Sequence, residues 1–347
     1  MRFALPHETP FVSVCLLTYN HKRWIETAIE SVLLQETDFP CEFIIAEDCS
    51  TDGTREIVQA YAERYPIKLL LQEQNVGAMP NWQRLLNSPT GKYVAYVEGD
   101  DSWIDALKLK KQSAFLEANP SAALCYANAK IYDTQNPDML VFFEPGKKPP
   151  LVRDGYEAVV ACPAPSCTLF FRNLMKPVPD WALKVRAGDF LMSAMMGKYG
   201  SANYIDECLG LYNHDYTGLS RVIGQERYLF DDFLVWLNLH KYFDNDPKAW
   251  DAIVQKCYCD LDKLFYRGWP AMARTLFWKW PLLKVWQAER HRASIIKMGI
   301  KLHFPFFMTF RRLFKKFKTP ALVTGSQLSL AFFQDESFFI LNWALLS

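Results

Sequence analysis

The 347-residue sequence has no run of about 18 apolar residues, so no transmembrane helix is expected. Its first residues lack the apolar core of a secretory leader, which points to a cytoplasmic chain. Net charge is almost absent, +1 from 39 basic and 38 acidic residues, and this argues against a general nucleic-acid binder. Zinc-finger spacing is missing as well. Cys257 and Cys259 are two apart and Cys162 and Cys167 five apart, but neither pair has a second pair to match. The nine cysteines are an odd number, and Cys15, Cys41, Cys125 and Cys167 sit in apolar, strand-like runs. That pattern reads as reduced, buried thiols. There is no internal repeat or low-complexity block. A glycine-rich basic loop, the usual cradle of a nucleotidyltransferase, does not follow the first strand, which ends Thr18-Tyr19-Asn20-His21.

What is present is a large apolar inventory, 50% hydrophobic and 15% aromatic, enough for one large domain or two smaller ones. Strand and helix patterns alternate through the first 130 residues. Apolar, β-branched runs predict strands over 11–18, 43–46, 67–71, 93–97 and 122–126. Helical periods predict helices over 24–34, 54–65, 81–86 and 108–118, the last closed by Asn119-Pro120. This rhythm calls for an α/β fold, a mostly parallel, Rossmann-like sheet flanked by helices. Residues 134–155 break it with Pro137, Pro145, Pro149, Pro150, Gly146 and Gly155, and read as a loop or acceptor-side flap. Strand-like 166–172, helix-like 188–199 and a strand within 202–212 follow. From about Gln225 the chain turns helical and aromatic.

Three strand ends carry polar clusters: Thr18-Tyr19-Asn20, then Glu47 to Thr54, then Glu98-Gly99-Asp100-Asp101. In a parallel sheet these ends share one edge, where open α/β folds bind ligands. The last cluster is either a solvated acidic turn or a set of hard oxygen ligands suited to Mg²⁺ or Mn²⁺ and a diphosphate. Asp48 is placed to accept from a ribose hydroxyl or a base N–H, as the acidic residue of dinucleotide folds does. Asp52, Ser50 and Thr51 suit helix capping. Tyr19 either packs against a base or is an ordinary turn residue.

These stretches, 12–20, 44–54, Asn75-Val76-Gly77 through Asn81, and 97–103, resemble the family 2 glycosyltransferases of the GT-A fold. The resemblance covers roughly residues 10–130 and weakens through about 220. It implies inverting sugar transfer from a nucleotide-activated donor, of UDP or dTDP type, with Mn²⁺ or Mg²⁺. It places Thr18, Tyr19, Asn20 and Asp48 in the nucleoside pocket, with Asn75 and Gly77 opening the flanking loop; plain turn chemistry is the alternative for those two. Glu47 stands where an aspartate is common. Glu98 to Asp100 correspond to the family's Asp-x-Asp motif. Asp100 becomes the metal ligand, Glu98 a contact of the donor ribose or a metal-bound water, and Asp101 an orienting or sugar-binding group. Trp103 reads as packing or as a sugar platform.

By the same resemblance the catalytic base is Asp189 in Ala187-Gly188-Asp189-Phe190, where Gly-Asp replaces the commoner Glu-Asp. An N-cap role does not exclude catalysis. Leu211 to Asp215 falls where Tyr-Arg-x-His is common. Here Asn213 replaces the arginine, and His214, one residue early, is the candidate diphosphate or metal contact. The expected acceptor is a saccharide or lipid-linked saccharide of surface-polysaccharide synthesis. A non-catalytic nucleotide-sugar or glycan-binding protein on the same scaffold is the alternative. The expected division is a glycosyltransferase domain over 1–220, with nucleotide-binding (10–130) and acceptor (131–220) halves, followed by a helical extension over 221–347. Between Lys284 and Lys318 stand ten Lys/Arg and one acidic residue, Glu289. Within that stretch, 304–318 repeats Phe306, Phe310, Leu313 and Phe317 at helical spacing beside Arg311, Arg312, Lys315, Lys316 and Lys318. Such a helix either lies on an anionic membrane surface, making the chain peripheral at the inner face, or packs on the body.

Overall fold

A computed structural model describes residues 1–133, 136–160, 164–184, 188–214, 239, 242–244, 246–266 and 271. All fall within the first of two units, Met1–Gln287; the second, Ala288–Ser347, lies outside them, and with it segment 304–318.

The sheet begins with four strands whose apolar runs are buried: β1 (Val12–Thr18), β2 (Cys41–Glu47), β3 (Ile67–Leu71) and β4 (Tyr93–Glu98). Val14, Leu16, Phe43, Ile45, Ala95 and Val97 are among their solvent-free core residues. Crossovers through α1 (Ile25–Leu33), α2 (Thr54–Arg64) and α3 (Ala78–Leu86) make the four parallel, in the spatial order β3-β2-β1-β4. The register aligns their carboxyl ends: Thr18 lies opposite Glu47, Leu17 opposite Glu98, and Glu47 opposite Leu71. The polar clusters that follow these strands therefore emerge on one edge.

Beyond β4 the sheet is mixed. Its order continues β9 (Phe170–Arg172), β6 (Ala122–Asp133), β10 (Ser201–His214) and β5 (Ser102–Trp103). β9 runs antiparallel to both β4 and β6, while β6 and β10 are parallel to each other. The stretch 134–155, expected to be a loop, contains two strands. β7 (Asn136–Val141) pairs antiparallel with β6, and β8 (Val152–Arg153) pairs antiparallel with β10. Prolines mark this stretch as non-strand, yet proline is tolerated where a strand has an unpaired side, and among the described residues β7 pairs only with β6. The strand expected over 122–126 runs on to Asp133, its outer part alternating between exposed and half-buried residues.

Four further α-helices follow: α4 (Lys108–Ala118), α5 (Gly155–Val160), α6 (Gly188–Met196) and, in the region read as helical, α7 (Pro247–Tyr266). None of the described helices is long and apolar enough to cross a membrane. Cys15, Cys41, Cys125 and Cys167 are free and buried, and burial pushes their thiols up. Trp103 is buried, and its indole N–H donates to the Cys167 carbonyl at 2.8 Å. Lys108 is also fully buried. Its Nζ lies 4.2 Å above the Trp103 ring and donates to Gln112 Oε1 at 2.6 Å. Burial lowers its pKa to about 7.

Candidate active site

The loops after β1 and β2 are laced together. Asn20 adopts φ +56°, a left-handed conformation that asparagine accepts more readily than most residues. Its N–H donates to Ser50 Oγ and its Oδ1 accepts from the Thr51 N–H, both at 2.9 Å. The His21 N–H donates to Thr54 Oγ1 and the Lys22 N–H to Asp52 Oδ2, again at 2.9 Å. Burial works to raise the Asp52 pKa, but hydrogen bonds from Thr54 and the Lys22 amide outweigh it and hold the carboxyl low. Tyr19 stands exposed at the rim, above buried Thr18.

Glu47 is fully buried and accepts from Arg55 Nε and the Ser50 N–H, each at 2.5 Å. Asp48, also buried, spends one carboxylate oxygen on the Val76 N–H and the other on the Gly77 N–H, both at 2.9 Å. Burial raises its pKa, opposed by these two amides. Gly77, at φ +91°, makes the turn into α3, and Asn75 is exposed just before it. Asp48 thus holds the loop that leads into α3, and the second lone pair of each oxygen remains for a ligand.

The acidic turn closes against β1, where the Gly99 N–H donates to the Leu17 carbonyl at 2.8 Å. A Cβ at Gly99 would sit 2.5 Å from Thr18 Oγ1 and 2.7 Å from His21 Nδ1, so a side chain there would collide with both. Glu98 accepts from the Tyr96 hydroxyl at 3.1 Å. Burial first, then the charges of Asp100 and Asp189, raise the Glu98 pKa well above the usual carboxylate range. Asp101 is buried and accepts from the Asn213 N–H at 2.9 Å and from Ser166 Oγ at 3.5 Å. Burial, with Asp100 and Glu98 adding, raises its pKa too. Asp100 differs from both. Its Oδ1 is buried without a hydrogen-bond partner, and its Oδ2 lies 3.9 Å from His21 Nε2.

Asp189 opens α6, its Oδ1 accepting from the Phe190 N–H at 2.7 Å, and burial raises its pKa. Its charge is felt at Glu98, Tyr96 and Tyr212, so the fold brings it to the acidic turn. A Cβ on Gly188 would lie 3.1 Å from Trp82 Nε1. The Trp82 indole therefore fills the space into which a glutamate of the commoner Glu-Asp pair would project. Trp82 is 1% exposed, and its Nε1 has no partner. His214 ends β10, but its side chain lies outside the described residues, as does Asp215.

Three contributors were given no role at the site by the sequence. His21 follows Asn20 directly, and only its contact with Asp100 distinguishes it. Asn213 donates through Nδ2 to the Asp100 carbonyl and leaves its own Oδ1 buried and unpartnered. Trp82 falls in the helical period over 81–86, and nothing local marks it for the site.

Among the described residues, no group of three or more His, Cys, Asp or Glu is arranged to enclose a metal ion. The site still suits a divalent cation that takes most of its ligands from substrate phosphates and water, as Mg²⁺-type sites do. The unpartnered Asp100 Oδ1 is the oxygen that would gain from one, since a buried acceptor without a donor costs about 1–3 kcal/mol.

The fold is of the GT-A type. Its likeness to a crystal structure of Staphylococcus aureus TarS, residues 1–349 with UDP-GlcNAc, has a TM-score of 0.58 over 86% of this chain and 92% of that one, at 18% identity. The sequence model of glycosyl transferase family 2 matches residues 13–178. An uncharacterised protein of Mycobacterium tuberculosis is 38% identical over 122 residues, 35% of each chain. The S. aureus poly(ribitol-phosphate) β-N-acetylglucosaminyltransferase TarS is 33% identical over 116 residues, 32% of this chain and 20% of that one. The alignments thus span between a fifth and about a third of these relatives' own lengths.

Proposed function

We propose that the protein is a metal-dependent, inverting glycosyltransferase. It would move a sugar from a UDP- or dTDP-type donor to a hydroxyl of a saccharide or lipid-linked saccharide in surface-polymer synthesis. The observation that carries this is the convergence of Glu98, Asp100 and Asp189 at the carboxyl edge of a family 2 sheet. TarS, named for transfer to poly(ribitol-phosphate), supports the polymer context.

Thr18, Tyr19, Asn20 and Asp48 hold the nucleoside, and the Asn75–Gly77 loop closes its flank. Glu98 faces the donor ribose, while Asp101 orients the turn through Asn213 and Ser166. Asp100 would hold Mn²⁺ or Mg²⁺, which would supply charge neutralisation for the leaving diphosphate. His214 remains a candidate contact of the same diphosphate. The acceptor hydroxyl loses its proton to Asp189 as it attacks the anomeric carbon from the face opposite the diphosphate. Burial raises the basicity of that carboxylate, which favours proton acceptance. The basic segment 304–318 holds the enzyme to the anionic inner face of the membrane, near a lipid-linked acceptor.

A nucleotide-sugar panel scored by thermal shift with and without Mn²⁺ identifies the donor, because only a bound ligand raises stability. Asp100→Ala then loses metal-dependent donor binding. Asp189→Asn keeps donor binding and loses transfer. Normal transfer by Asp189→Asn would falsify the base assignment. Donor binding with no turnover against acceptors or water would establish a non-catalytic binding protein.

A further inference from the structure

We propose that His21 is the second protein ligand of the divalent cation, paired with Asp100, and that it biases the site towards Mn²⁺ over Mg²⁺. The proposal rests on the donor-site reading above and adds a ligand to it.

The distance between His21 Nε2 and Asp100 Oδ2, 3.9 Å, is too long for a hydrogen bond. It falls between the two spacings that ligands of one octahedral cation take, so a small side-chain rotation would bring the pair to either. With metal–ligand bonds of about 2.1 Å, adjacent ligands stand about 3.0 Å apart and opposite ligands about 4.2 Å. The imidazole is oriented from behind. Its Nδ1 lies 3.2 Å from Thr18 Oγ1, while the His21 backbone N–H is tied to Thr54 Oγ1 and its carbonyl accepts from the Trp24 and Ile25 amides at 2.8 Å. With Nδ1–H donating to Thr18, Nε2 is left with its lone pair directed at Asp100. This is the way a metal-bound histidine is usually fixed by its other nitrogen. Gly99 makes the approach possible, because any side chain there would displace both Thr18 and His21.

Two buried acceptors at the acidic turn have no donor. One is Asp100 Oδ1. The other is Asn213 Oδ1, on a side chain 6% exposed whose amide nitrogen grips the Asp100 carbonyl. A cation between His21 and Asp100 offsets this excess of negative potential. Two protein ligands leave the remaining positions open to phosphate oxygens and water. A nitrogen ligand also favours a transition ion over Mg²⁺, which prefers oxygen.

The test is electron spin-echo envelope modulation of Mn²⁺ bound to the full-length protein, alone and with UDP. Directly bonded nitrogen-14 should appear in the wild type, persist in His214→Gln and vanish in His21→Gln. The Mn²⁺ affinity of His21→Gln should fall about tenfold or more, and its Mg²⁺ affinity should fall less. A metal-free melting curve matching the wild type excludes simple unfolding. A wild-type spectrum without nitrogen coupling overturns the proposal, as does coupling retained in His21→Gln. If Asp100→Ala loses Mn²⁺ while His21→Gln retains it, the donor-site reading survives and His21 is excluded. If the wild type takes no Mn²⁺ in either condition, the metal part of that reading fails as well.

Discussion

Adding one methyl group at Gly188 tests how the base is held. An alanine Cβ there would lie 3.1, 3.2 and 3.3 Å from Trp82 Nε1, Cδ1 and Cε2. These contacts are tighter than ordinary van der Waals separations, so one side must give by a few tenths of an ångström. The indole is 1% exposed within the core and cannot swing outward. Part of the displacement therefore falls on the first turn of α6, where the next residue is Asp189. Overpacking of this kind costs about 1–3 kcal/mol. A misplacement of about 1 Å in a catalytic constellation costs about a hundredfold, so a smaller shift should lower kcat by about tenfold. Donor affinity should not change, because Gly188 lies outside the nucleoside loops. Trp82→Phe removes the crowding edge of the ring, and Nε1 has no hydrogen bond to lose. The double variant Gly188→Ala/Trp82→Phe should therefore recover most of the lost rate. Contacting residues of this kind couple by about 0.5–3 kcal/mol. Urea melts, calorimetric donor titration and initial rates of transfer would measure the cycle. Wild-type rate and stability in Gly188→Ala, or a double variant no faster than Gly188→Ala alone, would refute the steric argument.

Lys108 should give the fold a pH signature. Its pKa is about 7 in the fold and near 10.5 when unfolded, so the unfolded chain binds the extra proton between those values. Stability tied to this group is full above the unfolded value and is lost as pH falls through about 7. Relative to wild type, Lys108→Met should gain on the order of a few kcal/mol more at pH 6 than at pH 10, read from paired urea melts; a difference independent of pH would contradict the buried-amine account. Asp48→Ala leaves the Val76 and Gly77 amides without acceptors. Each such bond to a charged group is worth about 1.5–3 kcal/mol, so these two amides should lose hydrogen-exchange protection while donor affinity weakens. Unchanged exchange would mean that the loop is held by something else. Arg55→Ala strands the fully buried Glu47 carboxylate and should cost on the order of 3 kcal/mol in denaturant, with Glu47→Gln/Arg55→Ala recovering part of it.

The parallel half of the sheet was legible because its elements are defined by their own burial. β3 and α4 occupy the expected spans, Ile67–Leu71 and Lys108–Ala118. Strands covered on both faces read as continuous apolar runs, whatever lies beyond them. The mixed half was less legible for a matching reason. β5 has two residues, too short for any period to show, and of the strand expected over 166–172 only Phe170–Arg172 forms β9, Ser166–Thr168 being a 3-10 turn. The second half of β6 owes its pairing to β7 and β10, which no local pattern in 127–133 announces. At the candidate site, residue types at strand ends were readable, but what each oxygen touches was not. That Asp48 grips the amides of Val76 and Gly77, that Trp82 leans on Gly188, and that His21 faces Asp100 are contacts between separate loops, visible only once the register is known.

The helix α3 links these separate observations. Its N-terminal Gly77 is held by Asp48 at the carboxyl edge of the sheet, and Asn81 Nδ2 anchors it to the Ala46 carbonyl at 3.1 Å. On its other side Trp82 packs against Gly188. Gln83 Nε2 donates to the Val178 carbonyl, and Asn87 Oδ1 accepts from the Val178 N–H, both at 2.9 Å. One short helix thus touches both the Val76–Gly77 loop gripped by Asp48 and the Gly188 backbone that precedes Asp189. A helix held at both ends moves as a body, so a change at Asp48 is transmitted to the ground on which Asp189 stands. Hence Asp48→Ala should lower kcat as well as donor affinity, whereas a residue that only contacted the nucleoside would alter affinity alone.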